Sequence, residues 1–222
     1  MRYRNDILLR HADYQATVAH LLEFQQLVSD AIALRHSDIE LDDAVMLEMA
    51  KTWGEREIDA IENAFSNEKR YANAFPQIAL RGVFLSAVSY FEEFFRCVAR
   101  CIDRNSHCRR LSECRRVLLD NWNLSTESSA EEQLWQQLRG SFEIRNLLLH
   151  VDEQSPSSWN SSIQNAVNST RCDTCVSTNI AAQQCHHLLA VENCSVVLGP
   201  KIAREFIDCS NCYIGIHFRM LP

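Results

Sequence analysis

Arg145, Asn146 and His150 are the residues of this chain whose types and spacing best suit chemistry. They stand in the stretch Phe142-Glu143-Ile144-Arg145-Asn146-Leu147-Leu148-Leu149-His150. A guanidinium keeps its charge at any physiological pH and presents a planar fork of donors that matches a phosphate. An imidazole gains and loses a proton near neutrality. Set around one phosphodiester, the two would cut RNA without a metal or other cofactor. His150 would take the 2′-hydroxyl proton or protonate the leaving 5′-oxygen. Arg145 would hold the charge gathering on the phosphorane. Asn146 would orient the imidazole or bind a phosphate oxygen. The product would end in a 2′,3′-cyclic phosphate.

Five positions of an ideal helix separate Arg145 and His150 by roughly 140° of rotation, so they would not share a face. A joint role needs one of two geometries. The helix ends or distorts before His150, as the polar tail Asp152-Glu153-Gln154-Ser155-Pro156 suggests. Alternatively, two copies meet at this helix, and the Arg of one lies beside the His of the other in a two-fold cleft. The ordinary alternative is that Arg145 pairs with Glu143, Glu92 or another acid. His150 would then finish a helix, where its charge suits the carbonyl end.

The elements that must carry these residues read as helices. Five Gly and four Pro in 222 residues are few, which favours long helices with few connections. Apolar residues recur at helical spacing from Asp6 to about Ala33. Ser37-Asp38 can cap a second helix starting near Ile39. Gly54 interrupts that pattern, and a third run reaches Ala64. Pro76 suits the first turn of a new helix, which runs to about Cys101 and is apolar enough to lie in the core. A short helix is expected over Arg109 to Leu119. Ser129 with Glu132 fits a capping box for the helix that reaches the Arg-His motif. Beyond it, residues 154–170 form a Ser-rich loop. Ile180 to Val191 looks helical, Val196-Val197-Leu198 before Gly199-Pro200 fits a short strand and turn, and Ile202 to Met220 is expected to be helical with a break at Gly215. The reading is an all-α protein, with a helical region over residues 1–74 and a helical bundle over residues 75–222.

The net charge of −7 argues against a broad nucleic-acid footprint while leaving room for a small basic site. No stretch approaches the roughly 18 apolar residues that span a bilayer. No apolar leader follows Met1, so no membrane association and a cytoplasmic location are expected. Ten Cys are then expected as reduced thiols. Arg outnumbers Lys by 19 to 3, which suits bidentate carboxylate or phosphate contacts but also fits genome composition.

The stretch Arg145-Asn146-Leu147-Leu148-Leu149-His150 resembles the signature of the HEPN superfamily, which is Arg, a polar residue, three variable residues and His. The upstream helix Leu80-Arg81-Gly82-Val83-Phe84-Leu85-Ser86-Ala87-Val88-Ser89-Tyr90-Phe91-Glu92-Glu93-Phe94-Phe95 resembles the helix of that family that carries a Glu among aromatic and aliphatic residues. The resemblance covers about Phe75 to Leu221. It implies a HEPN-type helical bundle with additional N-terminal helices. It also implies a metal-independent endoribonuclease, working as a homodimer on RNA in a toxin or antiviral defence setting, with an antitoxin or regulatory protein as a further partner. Arg145 and His150 would be catalytic, Asn146 supporting, and Glu92 would orient Arg145. The chain departs from the family in Val151-Asp152-Glu153, which follows the His, and in the Ser-rich insertion.

Two further constellations stand out. Arg96, Arg100 and Arg104 repeat every fourth residue, followed by Arg109, Arg110, Arg115 and Arg116. Such a stretch would draw an RNA backbone, or pair as a solvated face with acids of the N-terminal helices such as Glu40, Asp42, Asp43 and Glu48. Cys172-x-x-Cys175 and Cys209-x-x-Cys212 offer four thiolates for a structural zinc. The opposing reading places the second pair on successive turns of a helix as small apolar residues. Cys97, Cys101, Cys108 and Cys114 are expected in the core. The competing functions are a non-catalytic helical dimerisation module that regulates a nucleic-acid-handling partner, and a zinc-stabilised binding domain.

Overall fold

The computed structural model of the chain describes residues 2–50, 56–104, 108–121, 129–149, 189–192 and 195–218. They are helical apart from one strand pair and a few connecting residues, which bears out the all-α reading. The elements are α1 Arg2–Ala50, α2 Arg56–Lys69, α3 Phe75–Ile102, α4 Leu111–Asn121, α5 Ser129–Leu149, β1 Leu189–Glu192, β2 Ser195–Leu198 and α6 Ile202–Phe218. The expected Ser-rich loop at residues 154–170 lies outside the described residues, as do Gly54 and the first three-quarters of the helix expected over residues 180–191.

Two compact units emerge: Met1–Leu22 together with Val83–Pro222, and Glu23–Gly82. The boundary read near residue 75 falls inside the second unit. In the first unit, α3 supplies Phe84, Ala87, Val88, Phe91, Phe95 and Val98 to the core. Their spacing of three and four is that of one helix face widened to a broad stripe. Leu138, Ile144 and Leu147 of α5 and Phe206, Ile207, Tyr213 and Ile214 of α6 complete it, with Ile7, Tyr14 and Val18 from the start of α1. Phe91 is the centre of an aromatic cluster, with ring centroids 5.4 Å from Phe95, 5.9 Å from Phe206 and 6.0 Å from Phe142. Burying a side chain of this size is worth roughly 1.5–3 kcal/mol. Polar contacts tie α1 to α6: the Tyr14 and Ser210 hydroxyls are 2.6 Å apart, and Gln15 Nε2 donates to Asn211 Oδ1 at 2.6 Å.

Several local expectations give way to longer-range forces. The helix does not restart at Ser37-Asp38; α1 is continuous from Arg2 to Ala50. Asp38 pairs with Arg35 at 4.0 Å and His36 meets Glu40 at 3.4 Å, so neighbouring side chains one turn apart support the helix through the would-be cap. Pro76 stands in the first turn of α3, as expected, but the helical path leading into it is unbroken. A π turn at Arg70–Ala74 joins α2 to α3. A proline ring collides with the carbonyl four residues earlier, and a widened turn relieves that collision. Tyr71 packs on Phe75 at 4.8 Å beside it.

Glu132 does not turn back to cap α5. Its carboxylate accepts from Arg115 Nη2 at 2.6 Å and from Gln136. A glutamate does turn back to the backbone at α4, where Glu113 accepts from the N–H groups of Arg109 at 2.8 Å and Arg110 at 3.2 Å. Those two bonds hold the exposed Glu113 carboxyl below its ordinary range. Gly215 does not interrupt α6, which is unbroken to Phe218. The strand expected at Val196-Val197-Leu198 forms as β2. Its antiparallel partner β1 occupies the end of the stretch read as helical, with Leu189 opposite Leu198 and Glu192 opposite Ser195.

Candidate functional site

Glu92 and Arg145 meet across α3 and α5. Arg145 Nη1 donates to Glu92 Oε1 at 3.1 Å and Nη2 to Oε2 at 3.2 Å, the two-point geometry that a planar fork and a carboxylate form best. Glu92 is 7% exposed, because the helix face that carries it also carries Phe91 and Phe95 into the core. A buried carboxylate needs compensating charge. Arg96, one turn along α3, adds a second cation: its Nη2 lies 3.4 Å from Glu92 Oε2. Arg145 Nη1 also donates to Asn146 Oδ1 at 3.1 Å, so the motif's two polar residues touch each other. Arg145 Nε is buried without a hydrogen-bond partner. His150 follows the last residue of α5 and lies outside the described residues.

The three arginines read as an RNA-binding row each meet a different partner. Arg96 turns to Glu92. Arg100 donates from Nη2 to Glu93 Oε1 at 3.1 Å and from Nε to the Arg96 carbonyl at 3.3 Å. Arg104 lies over the Tyr3 ring at 5.9 Å. Arg100 and Arg104 line a shallow cleft of about 200 Å³ with Tyr3, Asp6 and Arg10 of α1. Sequence reasoning missed Arg10. Its signal was present in the four-residue step from Asp6, which sets both on one side of α1.

Arg115 belongs to neither an RNA face nor a solvated one. It reaches into a buried network with Glu131 and Glu132 of α5 and Tyr213 and His217 of α6. Glu131, 2% exposed, accepts from Arg115 Nε at 2.9 Å, from Arg115 Nη2 and from the Tyr213 hydroxyl at 2.8 Å. His217 Nε2 lies 3.7 Å from Glu131 Oε1. The Arg115 guanidinium sits 5.2 Å over the Trp135 ring, a cation–π contact. Burial by itself would raise the Glu131 carboxyl, but the contacts from His217, Arg115 and Tyr213 outweigh it and bring the carboxyl down to about 2. Burial, followed by the Glu131 charge, pushes the Tyr213 hydroxyl up. Nothing in the local pattern of residues 111–135 signalled this network, because its partners come from three helices.

Cys172 and Cys175 lie outside the described residues. Cys209 and Cys212 occupy successive turns of α6. The Cys209 thiol donates to Gln137 Oε1 at 3.3 Å, and Cys212 is exposed. Among the described residues, no group of three or more His, Cys, Asp or Glu side chains is placed to hold a metal. Of the cysteines expected in the core, only Cys114 is buried, while Cys97, Cys101 and Cys108 are half-buried. Burial, then contact with Cys108, pushes the Cys114 thiol up to about 12.

The chain matches no protein-family model, and neither a characterised protein nor a solved structure matches it. Among the described residues, no helix is long and apolar enough to cross a membrane.

Proposed function

We propose that the chain is a metal-independent endoribonuclease of the HEPN type, acting as a homodimer. The single observation that supports this reading is the two-point ion pair between Glu92 and Arg145. It holds the guanidinium of the Arg-Asn-x-x-x-His stretch in one orientation on a rigid helix, as a site built to meet a developing negative charge requires. Arg145 has five N–H donors. Glu92 takes two, Asn146 takes one and the buried Nε–H a fourth, which leaves one Nη2 hydrogen for a phosphate oxygen. In the reaction, the 2′-oxygen attacks the adjacent phosphorus while His150 accepts its proton. The bond to the 5′-oxygen breaks, that oxygen is protonated, and a 2′,3′-cyclic phosphate and a free 5′-hydroxyl result. Glu92 acts as a positioning residue. The resemblance associates such an activity with toxins and antiviral effectors controlled by an antitoxin or regulatory protein.

The same ion pair favours a second reading. A carboxylate that binds both Arg96 and Arg145 ties α3 to α5 whether or not chemistry follows, as a non-catalytic dimerisation module would need. One experiment separates the two. The purified chain is incubated with mixed-sequence RNA in EDTA and the ends are analysed. Cutting that leaves cyclic phosphates, and that disappears in His150→Ala and Arg145→Ala while both variants stay folded, supports the nuclease. No cutting by the native chain, with loss of association in the same variants, supports the module.

A further inference from the structure

The second compact unit, Glu23–Gly82, shows water a row of large apolar side chains on α1. Phe24, Leu27, Leu34, Leu41 and Val45 are each between 52 and 68% exposed. Their steps of three, seven, seven and four place them on a strict seven-residue repeat. Phe24, Ala31, Asp38 and Val45 take one seam position, and Leu27, Leu34 and Leu41 the other. Monomeric proteins rarely leave so long an apolar stripe uncovered, and a repeat of 3.5 residues per turn is the pattern of a helix meant to pack along a second helix. The side of α1 that carries Ile39, buried in the same unit, is a different one, so this stripe is not a leftover of the unit's own core. It continues into an apolar groove of about 580 Å³ whose walls include Val28, Ile32, Tyr71, Phe75 and Ile78.

Charge selects the occupant. Residues 23–82 hold twelve Asp or Glu against six Lys or Arg, a net −6 out of the chain's −7. The positions that flank the seam carry Glu23, Asp30 and Asp42, and Asp38 lies within it. Arg35 is the one flanking cation, and it already faces Asp38 at 4.0 Å. A parallel second copy would set Asp38 against Asp38 in the seam and bring two acidic surfaces together, which costs stability at both places. We infer that the α1 stripe from Phe24 to Val45 is the docking face for an amphipathic helix of a partner protein, with Leu-type residues at its seam and Lys or Arg along its flanks. This inference stands apart from the ribonuclease reading, since it uses none of the same residues.

The test uses the full chain and two synthetic 28-residue probes. Both have Leu at the two seam positions; one carries Lys and the other Glu at the flanking positions. Fluorescence anisotropy at low salt should show the Lys probe binding at least about tenfold tighter than the Glu probe, with the difference shrinking as salt rises. Leu27→Glu with Leu34→Glu should abolish binding without moving the thermal unfolding temperature, because both side chains are exposed. Asp38→Lys, which leaves the apolar stripe intact, should narrow or reverse the preference between probes. Equal affinity for the two probes, or no binding of either, overturns the inference. So does self-association of the chain that Leu27→Glu with Leu34→Glu disrupts, which would make a second copy the occupant. Binding to uncharged phosphatidylcholine vesicles that the same pair of changes removes would make the face a lipid surface and overturn it equally.

Discussion

Replacing Glu131 by Gln removes the one buried anion that Arg115, Tyr213 and His217 all face, while keeping its size and shape. A carboxyl brought from an ordinary 4.5 to about 2 contributes roughly 3 kcal/mol to stability near neutral pH. The sign follows from the direction of the change. The folded chain holds the proton less tightly than the unfolded one, so the contribution is complete above about pH 4.5 and drains away as the pH falls towards 2. Glu131→Gln should therefore lose roughly 3 kcal/mol at pH 7, close to what breaking one side of a buried pair costs. Glu132 remains to neutralise Arg115 at 2.6 Å, which limits the loss. For a chain of this size the loss corresponds to an unfolding temperature lower by roughly 6–12 °C. Urea unfolding followed by circular dichroism measures it at pH 7 and again at pH 3. At the lower pH most of the native advantage has gone, and the gap between the two proteins should shrink to about 1 kcal/mol. A gap below about 0.5 kcal/mol at pH 7, the range of an ordinary surface change, or a gap of the same size at both pH values, would show that Glu131 is not the charged centre of this network.

Other changes test other parts of the argument. His150→Ala should lower RNA cleavage at least about 100-fold, the usual weight of a general acid or base; retained cleavage rejects its assignment. Glu92→Gln should lower kcat about tenfold or more and leave KM within about twofold, because it loosens Arg145 rather than removing it. Unchanged kcat per folded molecule would reduce Glu92 to a structural tie. Gly215→Ala should raise stability by about 0.5–1 kcal/mol, since the position is helical and an added Cβ meets nothing within 4 Å; a lower unfolding temperature would contradict the continuous α6.

Periodic spacing made the helices legible. The apolar residues of α3 recur at three and four, and that pattern alone told both that a helix would form and that it would be buried, because burial and helical geometry act on the same residues. The strand β2 was legible from its β-branched run, but its partner β1 was not, because pairing belongs to two segments at once. Breaks were harder. Ser37-Asp38 has the residues of a cap and Gly215 those of a break, yet α1 and α6 run through them. A local preference worth about 1 kcal/mol or less yields to ion pairs and packing on either side. The site divides in the same way. The sequence by itself determined that Arg145 and Asn146 would stand on a helix next to His150, and the family resemblance pointed to Glu92. Only the tertiary structure decided that Glu92, fifty-three residues away, grips Arg145 at both ends of its fork, that Arg96 turns to the same carboxylate, and that Arg115 leaves the basic row for Glu131. A charge takes whichever partner lies within about 3 Å after the helices have packed, and chain order does not record that distance.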